Sequence, residues 1–412
     1  MVFKCQEDSY LKEFATTVVR CEPTEFNAKI NNDDASVKGY EVVLEDTIIF
    51  PEGGGQPCDH GLLNEKPVLN VIRKGAIAIH YVQSEDSFNV GDVVQQKVDW
   101  DRRFDHMQQH SGQHLITAVF EQDFGFDTTT WNLGSETSFV ELETSNVTPD
   151  QLQKAEQKIN KFIADQTNVS VVRVSGDEKE IPPEVTRATR GLPKDHVGDI
   201  RVVTFDGIES NMCCGTHVKN LAELQIVKLL NVEKCKGRVL VHFVVGNRVL
   251  KKLAECFNRE LETNILLKCG PPTHLEMIQK IKENLRTTQR TFGKVMKELA
   301  VHEADKVKQL PDPPKYYCLH RIDGIDSDFF SVFTRHLNNK DMFLFLTSGD
   351  ESSTKGQMLC QGKVDDVDKL GRVLCELMDG KGNGKNGRFQ GKVNNLKKLD
   401  ECRKIIREYF DK

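Results

Sequence analysis

The stretch DRRFDHMQQHSGQHLITAVFEQDFG, residues 101–125, is where the periodicity of the chain changes. Phe104, Met107, Leu115, Ala118 and Val119 recur at mixed three- and four-residue steps, the spacing of a helix that buries one face. Asp101 supplies a cap at its start and Gly125 a stop. Upstream the pattern is that of strands. YEVVLEDTIIF (40–50), KPVLNVIRK (66–74) and AIAIHYVQ (76–83) are short runs rich in β-branched residues, separated by Gly, Pro and Asn turns. They predict a small antiparallel β-barrel over residues 1–98, followed by a helix-led α+β domain.

Downstream of the helix, strands are expected at SFVELE (138–143), VSVVRV (169–174), IRVVTF (200–205) and RVLVHFVV (238–245), with a helix at 149–165 opened by TPDQ. This α+β domain spans 99–246. A helical hairpin follows over 247–310. Its first helix stops at Gly270-Pro271-Pro272, and its second opens with a capping box, Thr273 followed by Glu276. In that second helix Ile278, Leu285, Phe292 and Leu299 recur every seven residues, with Ile281, Thr288 and Val295 as a companion series. The stripe packs against the preceding helix or against a second copy of the chain, so a homodimer through the C-terminal half stays open. PDPP (311–314) is a stiff linker to a small α/β domain, 311–412, in which YYCLHRID and MFLFLTS read as strands and 365–380 as a helix. Before the final helix lies a glycine-lysine loop, GKGNGKNGRFQGK (380–392). It is either filler or a site that presents backbone N–H groups, Lys381, Lys385 and Arg388 to phosphate. The expected fold class is therefore α+β throughout.

A length of 412 residues exceeds one ordinary core and predicts roughly two to four domains. With 38% hydrophobic and 29% charged residues the composition is that of a soluble globular protein. The opening MVFKCQEDSYLKEF lacks a signal-peptide core, and no run of 18 apolar residues occurs, so a cytosolic protein without a membrane partner is expected. In that compartment most of the 12 cysteines are expected to be free thiols rather than a disulfide framework. The net charge of -6 conceals an asymmetry: from Gly246 onward 31 Lys+Arg face 24 Asp+Glu, whereas the first 245 residues carry 25 against 38. A basic C-terminal portion suits contact with nucleic-acid phosphates, or is simply a solvated surface.

The chemistry is concentrated in two segments a hundred residues apart. His106, His110 and His114 stand four apart, which stacks them on one helix face with Cβ atoms roughly 6 Å from their neighbours. MCCGTHV (212–218) adds Cys213 and His217, also four apart. Thiolate and imidazole together favour Zn²⁺ in tetrahedral geometry. On spacing alone His106 could replace His110, although Ser111 and Gly112 leave room beside the 110–114 pair. Gln113 and Thr216 each precede a ligand and are candidates to act on substrate or water. No Glu follows the first histidine, which disfavours a zinc peptidase of the HExxH kind. In FPEGGGQPCDHG (50–61), Gly53, Gly54 and Gly55 free the backbone for a tight turn or for close approach to a ligand, with Gln56 beside them.

HSGQHL and CCGTHV resemble the two zinc motifs of the alanyl-tRNA synthetase editing domain and of the free-standing AlaX-type editing proteins. TIIFPEGGGQPCDHG resembles the glycine-rich barrel motif of that family, VDWDRRFDHMQQHSGQHL runs into the zinc helix as the family's sequence does, and GKGNGKNGRFQG is similar to the glycine-rich loop of the synthetase C-terminal domain. The resemblance covers most of the chain in one order, without an aminoacylation domain. It implies one zinc ion held by His110, His114, Cys213 and His217. The chain departs from the family at Cys214, commonly glycine, and at Asn132 in WNLGSE, often glutamine, which bears on amino-acid discrimination.

The implied reaction is hydrolysis of the ester that joins a wrong amino acid to the 3′ end of tRNA(Ala), chiefly serine, with glycine open. A pocket for alanine cannot strongly reject either, so a second, hydrolytic site is needed. Gly53, Gly54, Gly55, Gln56, Asn132, Lys381, Lys385 and Arg388 are the candidate substrate contacts, and the barrel and basic half are expected to hold the acceptor stem. Two readings from other classes remain: an RNA-binding module with a structural zinc, and a metal-dependent hydrolase of another ester or amide.

Overall fold

The computed structural model describes residues 2–30, 33–174, 185, 200–322, 327–350 and 356–411. The chain forms two compact units, Met1–Leu261 and Glu262–Lys412. A short helix, α1 (Lys4–Glu7), precedes β1 (Glu13–Ile30), β2 (Asp33–Leu44), β3 (Gly61–Leu63), β4 (Lys66–Lys74), β5 (Ile77–Gln83) and β6 (Val93–Val98). These pair antiparallel in the order β1-β2-β5-β4-β3-β6, and β6 returns to β1 at Glu13–Thr17, closing the barrel. Val42, Ile48, Ile49, Phe50, Val71 and Val82 fill it. Strand β1 has no counterpart in the sequence reading, where Pro23 and its charged neighbours conceal it. Pro23 pairs with Tyr40 of β2 beyond the stretch paired to β6, an edge position that a sheet tolerates for proline.

Inside the barrel, His80 donates from Nδ1 to Val42 O at 3.0 Å, and its Nε2 meets Thr47 Oγ1 at 2.8 Å. Burial pushes its pKa from 6.5 down to about 4, so the folded state holds the ring neutral. The unfolded chain binds the proton more tightly. The stability that His80 contributes is therefore complete above pH 6.5 and lost as pH falls through 4, a loss of about 3 kcal/mol. Urea unfolding at pH 7 and pH 4.5 should show a steeper loss for the native protein than for His80→Gln; equal losses would contradict this assignment.

The second part of this unit is built around α2 (Trp100–Phe124). Its cap is Asp99, whose side chain accepts from Arg102 N at 3.2 Å, rather than the expected Asp101; Gly125 stops it in the left-handed region at φ 67°. Residues 106–120 are buried on every side, and several of their polar groups serve neighbouring backbone. Gln109 donates to Val245 O and accepts from Val245 N, Gln108 donates to Glu223 O, and Ser111 accepts from Val218 N. Around the helix lie β7 (Thr128–Leu133), β8 (Ser138–Leu142), α3 (Pro149–Ala164), β9 (Val169–Val174), β10 (Ile200–Phe205), β11 (Glu209–Met212), β12 (Val227–Cys235) and β13 (Arg238–Val245). They form one sheet in the order β12-β13-β8-β7 and another in the order β11-β10-β9.

Helix α4 (Asn247–Leu267) and helix α5 (His274–Lys308) follow. The expected capping box of α5 does not form, because Pro271–Thr273 take a 3₁₀ turn and Thr273 Oγ1 donates to Gly270 O instead. Ile278, Ile281, Leu285, Phe292 and Val295 of the seven-residue stripe are each about half exposed, while Ala300, Ala304 and Val307 near the end of α5 join a buried core. The remaining elements are β14 (Tyr316–Arg321), α6 (Ser327–Leu337), β15 (Phe343–Ser348), β16 (Gly356–Gln361), α7 (Val364–Leu377), β17 (Lys381–Lys385), β18 (Arg388–Val393) and α8 (Leu399–Phe410). Their sheet has the order β14-β15-β16-β18-β17, with β14 and β15 parallel. The expected glycine-lysine loop is instead the β17–β18 hairpin. Its turn residues Asn386 and Gly387 take φ 58° and 77°, as a two-residue Asn-Gly turn requires. No helix among the described residues is long and apolar enough to cross a membrane.

Candidate metal centre

The ligand atoms of His110, His114, Cys213 and His217 lie within 4.8 Å of one another. Helix α2 brings two of the imidazoles, and the turn after β11 brings the thiol and the third. The ring centroids of His110 stand 5.2 Å from His114 and 4.6 Å from His217, and those of His114 and His217 are 4.9 Å apart. Cys213 Sγ is 3.4 Å from His110 Nε2. Donors around a tetrahedral zinc stand roughly 3.3–3.8 Å apart, so the cluster needs only a small contraction to hold one.

Each imidazole is oriented through its other nitrogen. His110 Nδ1 donates to Gln56 Oε1 at 2.9 Å, His114 Nδ1 to Glu209 Oε1 at 3.1 Å, and His217 Nδ1 to Gly215 O at 3.0 Å. With the Nδ1 hydrogen bonds made, Nε2 is the atom each ring has left to offer a metal, which takes the neutral, Nδ1-protonated tautomer. His217 Nε2 is buried with no hydrogen-bond partner, an orphan that a metal would satisfy. Burial pushes the Cys213 thiol up, but the imidazoles of His110, His217 and His114 outweigh it and hold the thiol well below its ordinary 9.0. Burial also lowers His114, yet Cys213 and Glu209 raise it to about 10; burial takes His217 down to about 3.

The glycine motif reaches this cluster. Gly53 and Gln56 exchange backbone hydrogen bonds at 3.1 and 3.0 Å, with Gly54 at φ 59° and Gly55 at φ 81° between them. A Cβ on Gly54 would stand 2.6 Å from Cys214 Sγ. This tight turn delivers Gln56, which is wholly buried: its Oε1 also accepts from Thr216 N at 2.9 Å, and its Nε2 donates to Thr216 Oγ1 at 2.8 Å. Gln56 therefore holds two site residues. Gln113 is buried and donates to Thr117 Oγ1 at 2.9 Å, while its Oε1 has no partner.

His106 lies outside the cluster, one turn earlier, with Nδ1 3.9 Å from Asp59 Oδ1. Asn132 stands exposed on β7 between buried Trp131 and Leu133. Lys381 and Lys385 are exposed on β17 and Arg388 donates to Ser331 Oγ at 3.4 Å, all in the second unit. Glu209 is the site residue that sequence reasoning missed. It lies four residues before Cys213, and no local pattern ties it to His114.

Residues 6–102 match the family model described as tRNA synthetases class II (A), and residues 200–240 that of the threonyl and alanyl tRNA synthetase second additional domain. The chain is 44% identical to the alanyl-tRNA editing protein Aarsd1 of Mus musculus, over 99% of this chain and 98% of that one. It is 29% identical to the putative alanyl-tRNA editing protein alaX of Saccharomyces cerevisiae, over 95% and 93% respectively. An alanine–tRNA ligase of Ignicoccus hospitalis is 26% identical over 93% of this chain, but over only 40% of its own length.

Proposed function

The chain belongs to the alanyl-tRNA editing proteins, and from that membership we propose that it hydrolyses misacylated tRNA(Ala), chiefly seryl-tRNA(Ala), at the His110–His114–Cys213–His217 cluster with zinc bound there. The observation that carries this reading is the convergence of three oriented imidazoles and one thiol on a common point. Zinc, when bound, supplies Lewis-acid stabilisation of the charge that develops on the ester carbonyl oxygen. The rest falls to the protein. Gln56, Glu209 and the Gly215 carbonyl keep the imidazoles aimed, so that little reorganisation is needed as charge develops.

Four protein donors usually mark a structural zinc. Here Cys213 and Cys214 remain partly exposed while the three imidazoles are buried, which favours access to the cluster from the thiol side. The free Gln113 Oε1 is a buried acceptor that a water or a substrate hydroxyl could satisfy. The Thr216 hydroxyl accepts from Gln56 and keeps its own proton to donate. Either group suits recognition of the serine hydroxyl, which a site can read positively where an alanine pocket cannot reject it. Phosphates of the tRNA would be met by the basic segment from Gly246 onward, Lys381, Lys385 and Arg388 included.

Incubation with seryl-, glycyl- and alanyl-tRNA(Ala) tests the proposal. Serine should be released, alanine spared, and release lost in a folded Cys213→Ala variant. Undiminished release by that variant would remove the cluster from the reaction. Zinc binding without any release would leave a structural metal in an RNA-binding protein.

A further inference from the structure

The turn that carries Cys213 and His217 is held from outside by groups that the ligand set does not explain. Three successive carbonyls of that turn each accept a hydrogen bond. Arg201 Nη1 donates to Cys213 O at 3.0 Å and to Gly215 O at 2.7 Å, and Gln6 Nε2 donates to Cys214 O at 2.7 Å. Gln6 O in turn accepts from Arg201 Nε at 3.1 Å, so the two residues are locked to each other. Both are buried, at 5% and 6% exposure. Cys213 N donates to Arg201 O at 3.0 Å, which fixes the same ligand from its amide side.

Gln6 lies 208 residues before Cys214, and its own segment is anchored to the barrel and to α2. Phe3 and Cys5 belong to the barrel core. Cys5 N donates to Thr47 O at 3.1 Å, Lys4 N to Asp46 Oδ1 at 2.9 Å, and Arg103 Nη1 to Ser9 O at 2.9 Å. The remaining acceptor of Gln6, Oε1, takes Phe3 N at 2.9 Å. Both polar atoms of that side chain thus have a protein partner.

We propose that Gln6 and Arg201 form a carbonyl clamp that sets the metal affinity of the site by fixing the Cys213–Gly215 turn against the barrel. They are positioning residues. The reach to the ligands is direct: the Gly215 carbonyl that Arg201 holds is the one that orients His217 Nδ1, and the Cys213 carbonyl belongs to the thiol ligand itself. A loose turn would let the thiol and one imidazole wander together, because both sit on it. The inference rests on the metal reading above.

Its test is zinc affinity, measured by competition with a chromophoric chelator, beside urea unfolding of the metal-free protein. Gln6→Met keeps the volume and removes the donor; Arg201→Lys keeps the charge and removes the fork. Each is expected to weaken zinc affinity about tenfold, the usual effect of losing a group that orients a ligand, with unchanged stoichiometry. His110→Ala should lose binding far more completely. A role confined to folding would lower the urea midpoint and leave the affinity of the folded fraction untouched, and that result for both variants would overturn the clamp. Absence of zinc binding by the native protein would overturn the metal reading, and the clamp with it.

Discussion

Gly215→Ala is expected to lower zinc affinity by more than about 100-fold while leaving the fold intact. A Cβ at this position would lie 2.2 Å from His110 Cε1, 2.3 Å from His110 Nδ1 and 2.8 Å from Gln56 Oε1. The methyl group therefore falls on the ring edge through which His110 is oriented. Neither neighbour has room to retreat, since both are wholly buried. The ring must turn, and with it goes the Nε2 that faces the other donors. The glycine between Cys214 and Thr216 thus answers a need for space rather than for an unusual backbone angle. Gly293→Ala, where an added Cβ meets nothing within 4 Å, is the matched control and should bind zinc as the native protein does. Equal affinity in the two variants would show that His110 is not a ligand.

Removing either member of the Asp59–Arg103 pair should destabilise the protein by about 3–5 kcal/mol, read as a fall in the urea midpoint. Both side chains are fully buried. Arg103 also donates to Ser9 O and Ile48 O, and Asp59 Oδ2 accepts from Phe50 N at 2.8 Å. One guanidinium thereby joins the segment after α1, the barrel and helix α2. Burial pushes the Asp59 carboxyl up, with Arg103 opposing, so a lone Asp59 would be left without its compensating charge. Arg103→Met should therefore cost more than the double change Arg103→Met with Asp59→Leu, which leaves no stranded ion. If the single variant is as stable as the native protein, the pair does not brace the barrel against α2.

Much of this was legible in the sequence where a short repeat carried it. The four-residue spacings of His110–His114 and Cys213–His217 identified donors that the fold then brought together, and KPVLNVIRK is strand β4 to the residue. What failed was whatever depends on distant partners. Gln56 stood out beside three glycines, but its burial and its bond to His110, 54 residues away, could not be read locally. Glu209 and Gln6 carry no pattern at all, because their roles follow from packing across 95 and 208 residues of chain, and Arg201, though only 12 and 14 residues from the carbonyls it holds, is marked by no periodicity. His106 shares the spacing of a ligand but lies one turn earlier on α2, nearer Asp59 than the cluster, which no periodicity reveals. The β17–β18 hairpin is different: Asn386-Gly387 was a visible turn signal, masked by the surrounding glycines and lysines.

The most direct test of the central claim follows bound metal and serine release from seryl-tRNA(Ala) in one preparation, through chelation and then stepwise return of zinc. Release should disappear as the ion is withdrawn and come back in proportion to zinc at a single site per chain, with no recovery in His114→Ala. Full activity in the stripped protein, or none in the fully loaded one, would contradict it.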